Sequence, residues 1–203
     1  MKKTLVAAAL SAHLTTQLFA GGDIAPVEVH EPVLEEAAHA HHEESKFYLV
    51  VAGMTLLGDE IHHGEALLDG DDEYGYGFGI DIGYRLGNGF AIEYDYTYGK
   101  NTVYEITAHE TVEATSTYYT SAIDIVYTYE ATHNLGIFGK VGYEFEWEKI
   151  TELDIDERED DFVFGAGVEY ALNKEYKLLV EYEHSLIEGP HGDAILAGVM
   201  LNF

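Results

Sequence analysis

The sequence predicts an all-β chain folded as an antiparallel up-and-down transmembrane β-barrel of eight strands, and three observations carry that expectation. Segments of roughly ten residues alternate apolar or aromatic side chains with Gly, Ala or charged ones, which is the period of a strand with two different faces. No stretch beyond the N-terminus approaches the about 18 consecutive apolar residues of a membrane helix, so a mature chain that crosses a membrane does so as a closed sheet. The beginning of the chain reads as an export signal.

Lys2 and Lys3 precede an apolar run from Leu5 to Ala12 interrupted by Ser11, followed by polar His13 to Gln17 and the small residues Ala20, Gly21 and Gly22. That order predicts a signal peptide over residues 1–20, cut within about two residues of Ala20. As an anchoring helix the run is too short, since a span needs about 20 apolar residues. Residues 21–45 hold two of the three prolines, many glutamates and four histidines. No apolar pattern survives there, and a flexible, acidic, His-rich periplasmic tail is expected.

The barrel is expected over residues 46–203. Its first strand, at about 46–57, is the least regular, because Tyr48 to Leu57 is apolar on both parities. The second sets Tyr76, Phe78, Ile80, Ile82 and Tyr84 against Gly77, Gly79, Asp81, Gly83 and Arg85, and the third sets Phe90, Ile92, Tyr94, Tyr96 and Tyr98 against Glu93, Asp95 and Thr97. The fourth opposes Ile123, Ile125, Tyr127 and Tyr129 to Asp124 and Thr128. In the fifth, Leu135, Ile137, Val141, Tyr143, Phe145 and Trp147 face away from Lys140, Glu144 and Glu146, with Phe138 the exception. The sixth and seventh place Phe162, Phe164, Ala166, Val168 and Tyr170 opposite Gly165, Gly167 and Glu169, and Tyr176, Leu178, Val180 and Tyr182 opposite Lys177, Glu181 and Glu183. Ile195, Ala197, Val199, Leu201 and Phe203 share one side of the last.

Connections alternate in length: long at 58–73, short at 87–89, long at about 101–116, short at 130–134, long at 149–160, short at 172–175, and a brief last outer loop at 189–192. Short periplasmic turns and longer outer loops give this rhythm, with both chain ends on the periplasmic side. A soluble sandwich shares the period but turns its apolar face inward. Sixteen tyrosines, many flanking the apolar stretches, instead suit the aromatic girdles of a membrane barrel.

The last segment, Asp193 to Phe203, ends on an aromatic residue after alternating apolar ones. In this the chain resembles the small eight-stranded outer-membrane β-barrel family that includes the OmpA-like transmembrane domain and the opacity-type, porin-family proteins. The resemblance covers about Lys46 to Phe203. It implies residence in the outer membrane of a Gram-negative bacterium, contact with outer-membrane lipid and lipopolysaccharide, and Phe203 as the signal read by the barrel-assembly machinery. With no peptidoglycan-binding domain after Phe203, a wall-tethering role is not implied.

A formal charge of −28 disfavours nucleic acid as a partner, and the lack of cysteine excludes disulfides and thiolate metal sites. Parity directs nine carboxylates, Asp81, Glu93, Asp95, Asp124, Glu144, Glu146, Glu169, Glu181 and Glu183, into the lumen against Arg85, Lys140 and Lys177. Eight strands leave an interior just wide enough for side chains, so a polar plug is the plainer expectation and a narrow cation path the functional one. His39, His41 and His42 are weak metal-ligand candidates, with His62 and His63 next, but their spacing defines no closed tetrahedral site. The run Asp154, Asp156, Glu157, Glu159, Asp160 and Asp161 suits a solvated loop with at most weak divalent-cation binding.

Some small barrels are lipid-modifying enzymes, which directs attention to His184 and Ser185. Adjacent strand residues point to opposite faces, and Leu186 occupies the place where a deacylase pattern needs its second residue. No catalytic residues and no cofactor are therefore assigned. The expected role is structural or surface-interacting, with the narrow cation-preferring channel second and the lipid-modifying enzyme a distant third.

Overall fold

The structure is a computed structural model that describes residues 46–64, 66–70 and 74–203. The expected signal peptide, 1–20, and the expected tail, 21–45, lie outside the described residues. Strands dominate: β1 (Phe47–Leu56), β2 (Glu60–His63), β3 (Ala66–Asp69), β4 (Gly75–Gly87), β5 (Phe90–Ile106), β6 (Thr111–Glu130), β7 (Leu135–Ile150), β8 (Ile155–Ala171), β9 (Tyr176–Ser185) and β10 (Ala194–Asn202). All pairings are antiparallel, and they join chain neighbours except that β1 pairs with β4 on one side and with β10 on the other and that β3 pairs with β5. Eight strands thereby close into a ring, in which β2 and β3 take no part. Among the described residues no helix is long and apolar enough to cross a membrane.

Closure requires a register that keeps one parity outside. From Tyr48↔Asn202 to Leu56↔Ala194 the first and last strands pair without a break, and Phe203 N–H adds a bond to the Phe47 carbonyl at 3.3 Å. No free sheet edge is left around the ring, which is what lets a sheet reside in hydrocarbon. The outward face is apolar: Ile82, Ile123, Ile125 and Val180 are each at least half exposed. So much contiguous exposed aliphatic surface is untenable in water and expected against lipid. Tyr76, Tyr94, Tyr129 and Tyr170 share it, with their hydroxyls available to the headgroup region.

The irregular β1 has a packing reason. Its even positions, Tyr48, Val50, Ala52, Met54 and Leu56, turn inward and form an apolar lumen wall with Leu179, Leu196 and Met200. Its odd positions, among them Phe47 and Val51, face outward. Both parities are apolar because lipid lies on one side and this wall on the other. Phe138, off the parity of β7, packs against the same wall.

At the short-turn end, β4 and β5 join through Gly87, Asn88 and Gly89, with φ of 97°, 55° and 83°. Positive φ at successive turn positions is why Gly-Asn-Gly serves here. At the opposite end the expected long loops are instead strand. β5 continues to Ile106 and β6 begins at Thr111, so the hairpin turn is only 107–110 rather than 101–116. Likewise β7 and β8 enclose just a 3-10 turn at Thr151–Leu153 and Asp154, and the rest of the acidic run expected as a loop, from Asp156 to Asp161, lies in the first part of β8. Within the first long connection, β2 and β3 form a hairpin whose β3 pairs onto the far end of β5. This outer head has its own apolar cluster, Leu68, Val103, Ala114, Ile150 and Ile155, with Ile61 and Leu153 against it.

Candidate functional site

The lumen is built by inward parity. Asp81 (β4), Glu93 and Asp95 (β5), Asp124 (β6), Lys140, Glu144 and Glu146 (β7), Glu169 (β8) and Glu181 (β9) are all buried, with Arg85, Lys177 and Glu183 partly so. At the centre, Lys140 Nζ lies 2.8 Å from each of Asp95 Oδ2, Glu181 Oε1 and Glu183 Oε2. The ammonium donates a hydrogen bond to Asp95 and is the ion-pair partner of all three carboxylates. Room for the side chain comes from Gly165, where a Cβ would stand 2.6 Å from Lys140 Cε and 2.3 Å from Glu181 Oε1. Gly142 does the same for Asp124, which is fully buried and, among the described residues, has a hydrogen bond on neither oxygen.

Toward the short-turn end the charges thin out. Lys177 pairs with Glu169 at 2.8 Å. Arg85 donates to Asn202 Oδ1 at 2.7 Å and lies 4.5 Å over the Tyr48 ring, whose hydroxyl donates to Glu93 at 2.5 Å. Between these groups and the Lys140 hub lies a cavity of about 520 Å³, open toward the Gly87–Gly89 turn.

Toward the outer head a different device closes the lumen. The connection from Leu186 to Asp193 folds inward, burying Ile187, Pro190 and His191. His191 Nε2 lies 3.1 Å from Glu146 Oε2, and its ring stacks on Tyr118 at 4.7 Å between centroids. Asn101 Nδ2 donates to the Pro190 carbonyl at 2.8 Å. Backbone N–H groups of Leu57, Gly58 and Asp59 bind the carbonyls of Asp193, His191 and Pro190 at 2.8, 2.9 and 3.2 Å. On either side of the Glu146 contact, Ser116 donates to Glu148 toward the head and Ser185 to Glu144 toward the hub, at 2.6 and 2.9 Å. The loop lies outside the spanning strands. Burial alone would lower the His191 pKa, but the Glu146 carboxylate outweighs it and, with the Gly192 carbonyl on Nδ1, pushes it up to about 9.

Sequence reasoning did not single out this stopper. His191 was only one isolated histidine, and its partners Tyr118 and Glu146 are far away along the chain. The inward aromatic Tyr48 was equally hidden, in a strand apolar on both sides. The other histidines do not converge. His39, His41 and His42 lie outside the described residues; His62 and His63 are exposed on β2, with His63 Nδ1 3.8 Å from Glu157. Among the described residues no three His, Asp or Glu side chains are arranged to hold a metal ion. His184 and Ser185 point to opposite faces: the His184 ring meets Asp193 outside at 2.6 Å, while Ser185 meets Glu144 inside. Phe203, 70% exposed, stands on the outward parity at the short-turn rim.

Comparisons place this architecture among known ones. No curated protein sequence matches the chain significantly. The crystal structure of the outer membrane protein OprG from Pseudomonas aeruginosa aligns with 79% of this chain and 97% of its own, at a TM-score of 0.62 and 10% identity. Neisserial surface protein A (NspA) aligns over 78% and 98% at 0.53 and 18% identity. Ail, the attachment invasion locus protein of Yersinia pestis, solved with the heparin analogue sucrose octasulfate, aligns over 79% and 99% at 0.52 and 13% identity. At such identities the likeness is one of fold. The sequence model of the outer membrane protein beta-barrel domain matches residues 33–203. With a closed ring of eight strands turning its apolar face outward, that match makes the chain a member of the outer membrane protein beta-barrel domain family of Gram-negative bacteria.

Proposed function

We propose that the protein is a surface-interaction barrel of the outer membrane, with a filled lumen as scaffold and the head formed by β2, β3 and the outer halves of β5 to β8 as the partner-facing part. The observation that carries this reading is the pairing of a closed interior with a built exterior. The stopper at 186–193 and the Lys140 hub occupy the lumen in series, whereas the head has its own apolar cluster and presents Glu110, Glu113, Glu152, Asp156, Glu157 and Glu159 to solvent. A head held rigid loses little entropy when it docks.

The first described residue, Lys46, and Phe203 both lie at the short-turn end, which this reading assigns to the periplasm, leaving the head outside the cell. Ail was solved with a sulfated, polyanionic analogue. The acidic head here repels such a ligand and suits a cationic protein surface, or lipopolysaccharide phosphates reached through weakly held divalent cations. The same charge disfavours nucleic acid. Phe203 serves assembly, read by the barrel-assembly machinery.

The test pairs two measurements on the mature protein. Planar-bilayer recording should show no large, stable, porin-like steps, and cells bearing the protein should bind a basic protein such as lysozyme more than cells bearing a head with Glu152, Asp156, Glu157 and Glu159 changed to Gln or Asn. Large open-channel steps with equal lysozyme binding would sink the proposal. The surplus of lumen carboxylates favours a second reading, a narrow cation-preferring channel; small steps whose cation preference weakens when Glu144, Glu146 or Glu181 becomes Gln would support it. Lipid modification is a distant third, tested by mass analysis of lipid A.

A further inference from the structure

The cavity at the short-turn end is not needed by a surface-interaction role. Its volume of about 520 Å³ falls within the roughly 300–1,000 Å³ of small-molecule sites. One side is apolar, formed by Val50, Leu179 and Met200, and the other is charged, with Asp81, Glu93, Glu169 and Glu181 outnumbering Arg85 and Lys177, which are engaged by Asn202 and Glu169 respectively. Two more of these carboxylates have partners: Glu93 accepts from Tyr48 at 2.5 Å and Glu181 pairs with Lys140 at 2.8 Å. Asp81 differs. It is 6% exposed, and among the described residues it takes neither a hydrogen bond nor an ion pair. Across the sheet it stands between Val50 on β1 and Asp95 on β5, an apolar neighbour and a like charge. A carboxylate buried in such surroundings is costly unless something positive reaches it.

We propose that this cavity binds a small primary-amine cation with a short apolar stem, its ammonium seated on Asp81 and its stem along Val50, Leu179 and Met200. An ammonium brings three donors, enough for Asp81 with protons left for Glu93 or water. The apolar wall gives nothing to a bare metal ion, and no three carboxylates converge here as a divalent cation requires. An uncharged molecule of the same shape brings no charge to Asp81, whose nearby cation Lys140 is already shared by Asp95, Glu181 and Glu183, so charge and stem are both needed. The entrance lies at the short-turn mouth, away from the stopper and the head.

The experiment uses the mature chain refolded into nanodiscs of zwitterionic phosphatidylcholine, which do not attract amines, titrated with n-butylammonium by calorimetry. Saturable one-to-one binding is expected, absent with n-butanol and not competed by sodium at equal concentration. Asp81→Asn, nearly isosteric, should weaken it at least about tenfold, as loss of a charge-assisted hydrogen bond does. Leu179→Ala should weaken it a few-fold while keeping the preference for the amine, and Glu159→Gln on the head should leave it unchanged. Boiling-dependent gel mobility confirms that each variant is folded. Equal binding by Asp81→Asn, or displacement by equimolar sodium, overturns the proposal. So does an absence of saturable butylammonium binding by the folded, unmodified protein.

Discussion

Lys140 is the residue on which the interior depends. Its side chain is 2% exposed and is the shared counter-ion of Asp95, Glu181 and Glu183. Replacing it with Met keeps much of the volume and strands three carboxylates around an apolar stem. Breaking a buried ion pair from one side costs about 3–5 kcal/mol, so Lys140→Met should lower the urea midpoint of refolded protein by an amount of that order. Adding Glu181→Gln should recover part of the loss, because the orphaned charge and not the missing lysine carries most of it. Gly165→Ala should be destabilising in the same direction, since the new methyl falls on the Lys140 stem. The inward carboxylates were readable from the sequence because lipid forces one parity to be apolar and thereby identifies the other. Which of them Lys140 would select was not readable, since Asp95 and Glu181 reach it across the lumen from strands that parity alone cannot order.

At the scale of elements, the loop from Leu186 to Asp193 acts through His191. The charges facing that ring are Glu144, Glu146 and Glu148, all of β7, with the Tyr118 ring of β6 stacked on it. Its folded pKa, about 9, lies above the ordinary value of 6.5. A raised histidine pKa contributes stability that is fully present below the unfolded value and is lost as pH rises through the folded one. Unfolding midpoints should therefore fall between about pH 6.5 and pH 9 by more in the unmodified protein than in His191→Gln. Parallel curves for the two would mean that Glu146 does not hold the ring charged.

The last strand, β10, closes the ring on β1 and ends at an exposed aromatic. Deleting Phe203 or changing it to Asp removes one rim contact, and a carboxylate at the interface costs only about 0–1 kcal/mol. Refolding in detergent should largely survive, while outer-membrane levels in cells should fall and periplasmic degradation rise. Normal assembly of the deletion would remove the targeting role of this strand.

For the molecule as a whole, a ring without a free edge should resist detergent until heated. Unboiled and boiled samples should migrate differently on SDS gels, with β-type circular dichroism before boiling. Identical mobility would contradict closure. Most of the ring was legible from alternation, from β4 through β10. The head was not, and the reason is the solvent. Beyond the bilayer both faces of a strand meet water or protein, so residues such as Thr102, Ser116 and Glu157 no longer sort by parity, and paired strands read as polar loops. The β2–β3 hairpin is shorter still and gains its place only by pairing with β5 and covering Leu68.

Because β5 and β6 stay hydrogen-bonded without interruption from Phe90↔Tyr127 to Ile106↔Thr111, chain continuity at their tip contributes little to the ring. A protease added to the protein in bilayers finds scissile bonds at this tip in the four residues 107–110, where no ladder protects the backbone. Cleavage there would not release a fragment, since each half remains zipped to the other along the whole hairpin and to its own outer neighbour, β4 or β7. The barrel is thus divisible: polypeptides 46–108 and 109–203, refolded together, should rebuild one ring that parts into two bands only on boiling.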